Sequence, residues 1–105
     1  MQEPTFLILT ALADEARHGY GVMQEVTALS GGRVTLRPGT LYAALDRLVD
    51  ESLVAVDREE VVNSRLRRYY RLTGAGATAL RDESARLAAN VAAARRRLRR
   101  AGVTA

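Results

Sequence analysis

The sequence contains no cysteine, no tryptophan and no lysine, and His18 is its only histidine. Without cysteine there are no disulfides, thiolate zinc sites or cysteine nucleophiles. A single imidazole makes a poor metal site, and no serine or carboxylate is placed by pattern to make His18 a catalytic base. Without lysine there is no phosphate-loop motif. These absences argue against an enzyme, and they predict neither a metal nor a cofactor.

The chain also has no apolar run close to the roughly 20 residues that cross a membrane. Its longest run, Phe6 to Ala13, follows the segment MQEPT, which has no basic residue and is therefore unlike a signal peptide. A length of 105 residues is typical of one domain. We therefore expect a single cytoplasmic domain that does not bind a membrane.

The basic residues number sixteen against twelve acidic ones, which gives a net charge of +4. All sixteen are arginine, whose guanidinium group binds phosphates and guanine edges through paired hydrogen bonds. Nucleic acid is therefore the first partner to consider. A GC-rich coding bias would also replace lysine with arginine, so the positions of the arginines carry more weight than their number.

Apolar periodicity predicts two helices in the first third of the chain. Pro4 suits the first turn of a helix, and the stretch TFLILTALA that follows is apolar on nearly every side. Such a helix must be covered from two directions, and we expect a partner chain to supply the second cover. DEARHGYG then leads into a second helix, which Gly31 and Gly32 end. Its apolar residues recur at helical spacing: Val22, Met23, Val26 and Leu29.

A third helix is predicted from Pro38 to Glu51, with a core face formed by Leu41, Leu45 and Leu48. The stretch that follows, LVAVDREEVVNSRLRRYYRLT, changes to a strand-like alternation of side chains. It turns near Asn63-Ser64, so it predicts a β-hairpin.

A last helix, for which Thr73 is a good N-cap, carries a regular apolar stripe. The stripe residues fall at alternating steps of three and four: Ala77, Leu80, Ser84, Leu87, Val91, Ala94 and Leu98. This heptad pattern is typical of a helix that packs along another helix. We predict that the first and last helices build a homodimer interface, with these candidate residues: Phe6, Leu9, Leu80, Leu87, Val91 and Leu98. The alternative is that the stripe packs only on its own domain.

Three helices, a hairpin and a terminal helix follow one another in the order of a winged helix-turn-helix, a mainly α fold with a small β-hairpin. We place the DNA-binding domain at residues 1–73. The C-terminal dimerisation helix, with its arginine-rich end, occupies residues 74–105. In a helix-turn-helix the second helix of the pair lies in the major groove and presents its N-terminal residues to the bases. Here that recognition helix is the third helix of the chain.

The recognition helix carries a face suited to double-stranded DNA. Gly39 lets the backbone approach phosphate, where the free amides of the first turn bind anions. Thr40 donates a hydrogen bond to phosphate or contacts a thymine methyl group. Ala43 makes an apolar contact with a thymine methyl group. Tyr42 offers a hydroxyl to the DNA backbone, and Arg47 reaches a guanine or a phosphate. Taken alone this would be an ordinary solvated helix face, but its place beside a basic hairpin favours DNA.

The hairpin is predicted to be the wing. By strand alternation Arg67, Tyr69 and Arg71 share one face, and Arg65 lies near the tip. We expect Arg65 and Arg67 to hold phosphates across the adjacent minor groove and to set orientation rather than sequence choice. The alternative is a hairpin whose arginines pair with its own carboxylates, Asp57, Glu59 and Glu60.

The segment RRRLRR, Arg95 to Arg100, is the densest charge in the chain. We expect it to complement the macrodipole at the helix C-terminus. Contact with the DNA backbone and binding of an acidic partner are the alternatives. His18, at the entrance to the second helix, is expected to cap that helix or to contact phosphate.

Three segments resemble the PadR-type transcriptional regulators: RHGYGV in the second helix, PGTLYAALDRL in the third and RRYYRLTGAG after the wing. They lie within residues 5–80, in the order and spacing of that family, and the single terminal helix is similar to its compact branch. The resemblance implies a homodimeric winged-helix repressor whose first and terminal helices build the dimer. It also implies DNA contacts along the wing arginines and at these residues: His18, Tyr20, Gly39, Thr40 and Tyr42.

Departures from the family pattern bear on local structure. Arg37 stands where the family often has a capping serine, so we expect the recognition helix to start differently or to gain a phosphate contact. Ser52 replaces the usual glycine after the third helix, where a left-handed residue is expected. Family members commonly respond to a small-molecule effector, sometimes in a tryptophan-lined cavity. Because this chain has no tryptophan, the identity of the effector is not carried over.

The leading hypothesis is a homodimeric, sequence-specific transcriptional regulator, a repressor that binds an inverted repeat and is released by a small-molecule effector. The alternative is a winged-helix protein-interaction module without sequence-specific DNA binding. Binding of structured RNA through the arginine-rich end is a third hypothesis.

Overall fold

The computed structural model describes residues 1–103. Across these residues the chain forms four helices and one three-stranded antiparallel sheet. The elements follow in the order α1 (Glu3–Ala11), β1 (Arg17–His18), α2 (Gly19–Leu29), α3 (Pro38–Asp50), β2 (Val54–Val62), β3 (Arg65–Leu72) and α4 (Gly74–Arg100). The predicted winged helix-turn-helix order is confirmed. The predicted C-terminal segment extended to residue 105, and its last two residues lie outside the described ones.

The ends of the helices follow the signals in the sequence. Pro4 lies in the first turn of α1, where its missing N–H costs no hydrogen bond. Helix α2 ends before Gly31 and Gly32, whose φ angles of 61° and 85° are left-handed. The Thr73 hydroxyl caps α4 by accepting a hydrogen bond from the Gly76 amide at 2.9 Å. The N-terminal cap predicted for α4 is therefore confirmed.

The hairpin contains the two long strands of the sheet, with β3 in the centre. Its two-residue turn is Asn63-Ser64, and both residues have positive φ, as the tightest hairpin turns require. An irregularity between Val56 and Arg58 shifts the register once. The third strand, β1, was not predicted because two residues are too short to show a period. It pairs with β3 through His18 opposite Tyr69 and ties the start of α2 to the hairpin.

The core lies where α1, α2 and α3 meet the base of the hairpin. The predicted core face of α3 is confirmed, since Leu41, Leu45 and Leu48 are at most 1% exposed. Helix α1 is covered largely by its own chain, through contacts with α2 and α4. Its Leu9 is 0% exposed inside this core, which corrects the assignment of Leu9 to the dimer interface. The predicted apolar face of α2 also ends early, because Leu29 is 47% exposed at the last turn.

The first turn of α4 is docked onto the loop that leaves α3. Ser52 has a φ of 63°, so the left-handed position expected there is present and is occupied by serine. The Thr73 hydroxyl donates to the Ser52 carbonyl at 2.7 Å, and the Thr73 amide donates to the Leu53 carbonyl at 3.1 Å. Gly76 is buried against the same Leu53 carbonyl group. These contacts set the direction in which α4 leaves the domain.

Beyond Glu83, α4 projects away from the rest of the chain. Every helix residue from Ser84 to Arg100 is exposed, and the molecule measures 61 × 27 × 21 Å as a result. Five residues of the heptad stripe lie in this projecting part, and the three large apolar ones, Leu87, Val91 and Leu98, are 37%, 47% and 41% exposed. Within the protomer, therefore, the stripe does not fold back onto its own domain beyond Leu80.

Glu83 marks the last buried turn of α4 and is held by Arg86. The Arg86 guanidinium donates to both carboxylate oxygens, at 2.7 and 2.6 Å. These hydrogen bonds lower the pKa of the Glu83 carboxyl to about 2, although partial burial acts in the opposite direction.

This depressed pKa predicts an acid-sensitive contribution to stability. Because an unfolded glutamate titrates near 4.3, the contribution is present above about pH 4.3 and is lost as the pH falls towards 2. We expect Glu83→Gln to be less stable than the wild type at about pH 6, with the difference shrinking at about pH 3. Urea unfolding at both pH values measures the difference in the free energy of unfolding between the two proteins. A difference that does not change with pH would contradict the stabilising role assigned to the Glu83 carboxylate.

Candidate nucleic-acid interface

Helix α3 begins without a side-chain cap. Arg37 is its N-cap residue, and its side chain makes no capping hydrogen bond. The first bond of the helix runs from the Leu41 amide to the Arg37 carbonyl at 2.9 Å, so the amides of Gly39 and Thr40 precede the hydrogen-bonded ladder. Both residues are exposed, and nothing lies within 4 Å of the position that a Gly39 side chain would take. The helix end is therefore open for a phosphate to approach its amides.

Tyr42 connects the recognition helix to the start of α2. A methyl group at Gly19 would lie 2.7 Å from Cε1 of Tyr42 and even closer to its hydroxyl. Gly19 thus permits the Tyr42 ring to lie directly against the α2 N-terminus, while 44% of the tyrosine remains exposed. This contact fixes the angle between the two helices of the helix-turn-helix on the exposed side.

A cleft of about 830 Å³ separates α3 from the wing. It brings together five of the predicted DNA-binding residues from four elements: His18, Tyr20, Tyr42, Arg65 and Arg67. Asp46, Leu66 and Arg68 line the same cleft and were not predicted as site residues. Asp46 lies four residues after Tyr42, and Arg68 follows Arg67 in the sequence. Both could have been predicted as site residues if the sequence had shown that the wing lies next to α3.

The arginines of the wing divide into paired and unpaired groups. Arg58 lies 3.0 Å from both Asp57 and Glu60, Arg68 lies 3.2 Å from Glu59, and Arg71 lies 3.8 Å from Asp57. In the part of the chain that the structure describes, no ion pair involves Arg65 or Arg67. The charge-paired alternative therefore holds for three wing arginines, whereas the two predicted to contact DNA retain free guanidinium groups.

His18 is part of the sheet and does not cap α2. It occupies the N-cap position, yet its side chain makes no capping hydrogen bond, so of the two expected roles capping was wrong and contact with phosphate stays a prediction. Its ring instead packs edge-on against Tyr69, with 5.4 Å between centroids. Burial lowers the pKa of His18, and the positive charge of Arg67 lowers it further. The imidazole is therefore mainly neutral near pH 7 and is free to donate or accept one hydrogen bond.

A second depression, of about 660 Å³, lies on the other side of α3, against the start of α1. Thr40, Ala43 and Arg47 line it, so the outer face of α3 forms the ridge between the depression and the cleft. Nη2 of Arg47 donates to the Thr5 hydroxyl at 3.1 Å. This bond directs Arg47 towards α1, a contact between residues 42 positions apart that no local pattern predicts.

The ten predicted DNA-binding residues thus occupy one continuous surface in three parts. Five line the cleft, three line the depression, and the remaining two, Arg37 and Gly39, lie at the start of α3 between them. The arginine-rich segment Arg95 to Arg100 lines neither concavity, since it ends the projecting helix. The segment lies at the C-terminal end of α4, where positive charge interacts favourably with the helix macrodipole, as the sequence predicted.

Among residues 1–103 there is no helix with both the length and the apolar character needed to cross a membrane. The same residues contain no cluster of three or more histidine or carboxylate side chains able to hold a metal ion.

Comparison with known proteins gives consistent matches. The family profile described as "Transcriptional regulator PadR-like family" matches residues 8–82. The transcriptional regulator Rv3488 of Mycobacterium tuberculosis is 43% identical over 76 residues, which cover 72% of this chain and 67% of that protein.

Solved structures share the fold. A transcriptional regulator from Clostridium thermocellum superposes with a TM-score of 0.74 at 18% identity, covering 88% of this chain and 89% of its own. The PadR protein of Bacillus subtilis, crystallised with operator DNA, superposes with a TM-score of 0.68 at 22% identity over 77% of this chain and 47% of its own. At such identities these structures establish the winged-helix fold alone.

The family match covers β1, α2, the recognition helix and the wing, which are the elements that carry the surface described above, and it extends into the start of α4. Its members are transcriptional regulators, not enzymes. The chain belongs to the PadR-like family of transcriptional regulators.

Proposed function

We propose that the protein is a homodimeric repressor in the cytoplasm that binds an inverted-repeat operator and is released by a small-molecule effector. The observation that carries the DNA-binding part is the outer face of α3, which begins with free amides and lies beside the unpaired Arg65 and Arg67. Such a face enters the major groove, while the wing arginines hold phosphates alongside. The effector is the form of regulation that the family resemblance implies.

The projecting part of α4 supports the dimer. Leu87, Val91 and Leu98 form an exposed apolar stripe on the part of α4 beyond Glu83, which the rest of the described residues leave uncovered. An exposed stripe at heptad spacing is stabilised by packing along another helix, and a second copy supplies an identical one. We propose an interface of Phe6, Leu80, Leu87, Val91 and Leu98, with Leu9 removed because it is buried in the protomer core.

A two-fold dimer places two recognition helices in successive turns of the major groove. Their half-sites would be separated by roughly 34–36 Å, about one helical turn of DNA. This geometry requires an operator with inverted symmetry.

The proposed function is tested by fluorescence anisotropy on the DNA upstream of the protein's own gene, with a scrambled duplex as control. We expect a preference of several hundredfold or more for the native sequence near physiological salt. Equal, weak binding to both duplexes would contradict sequence-specific regulation by this DNA. It would favour the alternative, a winged-helix module that binds protein.

Arg47 provides a test of which residues select the sequence. Its guanidinium group is exposed on the ridge of α3, and a bidentate contact with guanine is typically worth about 1–3 kcal/mol of discrimination. We expect Arg47→Ala to lower the preference for operator over scrambled DNA by about tenfold. Thr5→Val is the matched control, because it removes the hydrogen bond partner and leaves the guanidinium. Equal loss on both duplexes for Arg47→Ala would instead assign Arg47 to phosphate.

A further inference from the structure

The tip of the wing carries an exposed apolar pair. Val61 is 75% exposed and Leu66 is 63% exposed, which makes them the two most exposed large apolar side chains in the described residues. They face each other across the hairpin, with Val61 directly opposite Leu66. We call these two residues the wing-tip pair.

The hairpin holds the wing-tip pair in a fixed position. The two-residue turn at Asn63-Ser64 sets the register, and only one pair of residues, Val62 and Arg65, separates the turn from the wing-tip pair. Strand alternation places Leu66 on the same face as Tyr70, which is buried at 3% exposure. On this face the Arg68–Glu59 ion pair lies between Tyr70 and the wing-tip pair, so the wing-tip pair is an isolated apolar patch in solvent, separate from the core.

The neighbours of the wing-tip pair identify the kind of partner that would cover it. Leu66 lines the cleft beside α3, together with Arg65 and Arg67. These two arginines flank Leu66 along β3 on the opposite face of the hairpin, and they lie in no ion pair within residues 1–103, so positive charge is available on the other side of the wing tip. Phosphate complements the arginines, and the minor groove between two phosphate strands accepts apolar side chains against its sugars and base steps.

We infer that the wing-tip pair enters the minor groove of DNA, as an apolar wedge held between phosphates bound by Arg65 and Arg67. This inference rests on the proposed DNA-binding function and adds a contact that is not electrostatic. Flexible TA steps unstack at low cost, and the narrow groove of A·T-rich DNA attracts arginine. The wing therefore favours A·T-rich sequence beside each half-site, independently of the bases that α3 contacts.

The test uses two duplexes of about 24 base pairs without any operator, one of alternating A and T and one rich in G and C. Binding of the full chain is followed by anisotropy over a range of salt concentrations. We expect Val61→Ser combined with Leu66→Ser to weaken binding to the A·T duplex by about tenfold, with less effect on the G·C duplex and no change in salt slope. Arg65→Ala combined with Arg67→Ala should instead reduce the salt slope by about two for each wing that contacts the duplex.

Leu29→Ser is the matched control, because Leu29 is 47% exposed at the end of α2, away from the cleft. It should leave binding to both duplexes unchanged. Thermal unfolding should be nearly the same for the wing-tip variant and the wild type, since both side chains already lie in solvent.

Several results would overturn the inference. Unchanged affinity of the wing-tip variant would exclude a contact with DNA, and equal loss on both duplexes would place the contact outside the minor groove. A change in mass by light scattering would assign the wing-tip pair to contacts between copies of the chain. If the wild type binds neither duplex, the DNA-binding function itself fails, whereas wild-type binding with an unaffected variant overturns only this inference.

Discussion

Replacing Gly76 with alanine is expected to destabilise the protein by about 2 kcal/mol and to lower its Tm by about 10 °C. The added Cβ would lie 2.7 Å from Cδ1 of Leu72 and 3.0 Å from the carbonyl carbon of Leu53, and it would overlap the Leu53 oxygen. A backbone carbonyl cannot rotate away as a long side chain does. The first turn of α4 would therefore have to separate from the loop at Leu53.

The contacts around this carbonyl explain why the cost is large. Its oxygen accepts the Thr73 amide at 3.1 Å, and the Thr73 hydroxyl in turn caps the Gly76 amide at 2.9 Å. Moving the turn weakens both bonds at once. Alanine gains up to about 1 kcal/mol of helix propensity over glycine, which offsets only part of this loss.

Gly74→Ala is the matched control for this prediction. Gly74 lies in the same helical turn, and nothing is within 4 Å of the Cβ it would acquire. We expect its Tm to equal or slightly exceed that of the wild type. Calorimetry at one fixed protein concentration separates the two variants, since dimerisation makes Tm depend on concentration. Equal Tm values for both variants would contradict the close packing at Gly76.

Replacing Leu87 and Val91 together with glutamate is expected to convert the proposed dimer to monomers and to weaken operator binding by more than about 100-fold. Both residues lie on the exposed stripe of α4, and a two-fold interface would bring the new carboxylates of two chains together. The affinity for a palindromic operator then falls, because the two recognition helices are no longer linked and bind their half-sites independently.

Ala89→Glu combined with Ala93→Glu provides the control for charge and spacing. These alanines are also four residues apart and exposed, but they lie on the opposite side of α4 from the stripe. Light scattering should give the mass of a dimer for this variant and of a monomer for the stripe variant. The same mass for both would contradict the proposed interface.

Much of the architecture was predictable from short-range signals. Leu41, Leu45 and Leu48 recur at helical spacing and are buried as that spacing requires. The two glycines after α2, the Thr73 cap and the turn at Asn63-Ser64 each act within a few residues of the chain. Signals of this kind act between residues that are close in the chain, so they can be recognised before the tertiary structure is known.

Other features were not predictable because they join distant parts of the chain. The strand β1 exists only because β3 offers it a partner, and Leu9 lies in the core only because α2 and α4 cover α1. The expectation of a capping His18 failed for the same reason, since the ring packs against Tyr69 across the sheet. In each case the packing of the segment or side chain was determined by a neighbouring element that is distant in the sequence.

The sequence by itself determined the order of the elements, the face of α3 that is exposed and the family to which the chain belongs, because periodicity, caps and turn residues are local properties. The tertiary structure decided which charges are available for binding. Five arginines are present in the wing segment, and only the folded hairpin shows that Arg58, Arg68 and Arg71 are neutralised by carboxylates while Arg65 and Arg67 are not. Pairing depends on distances of a few ångströms between strands, and those distances exist only after the chain has folded.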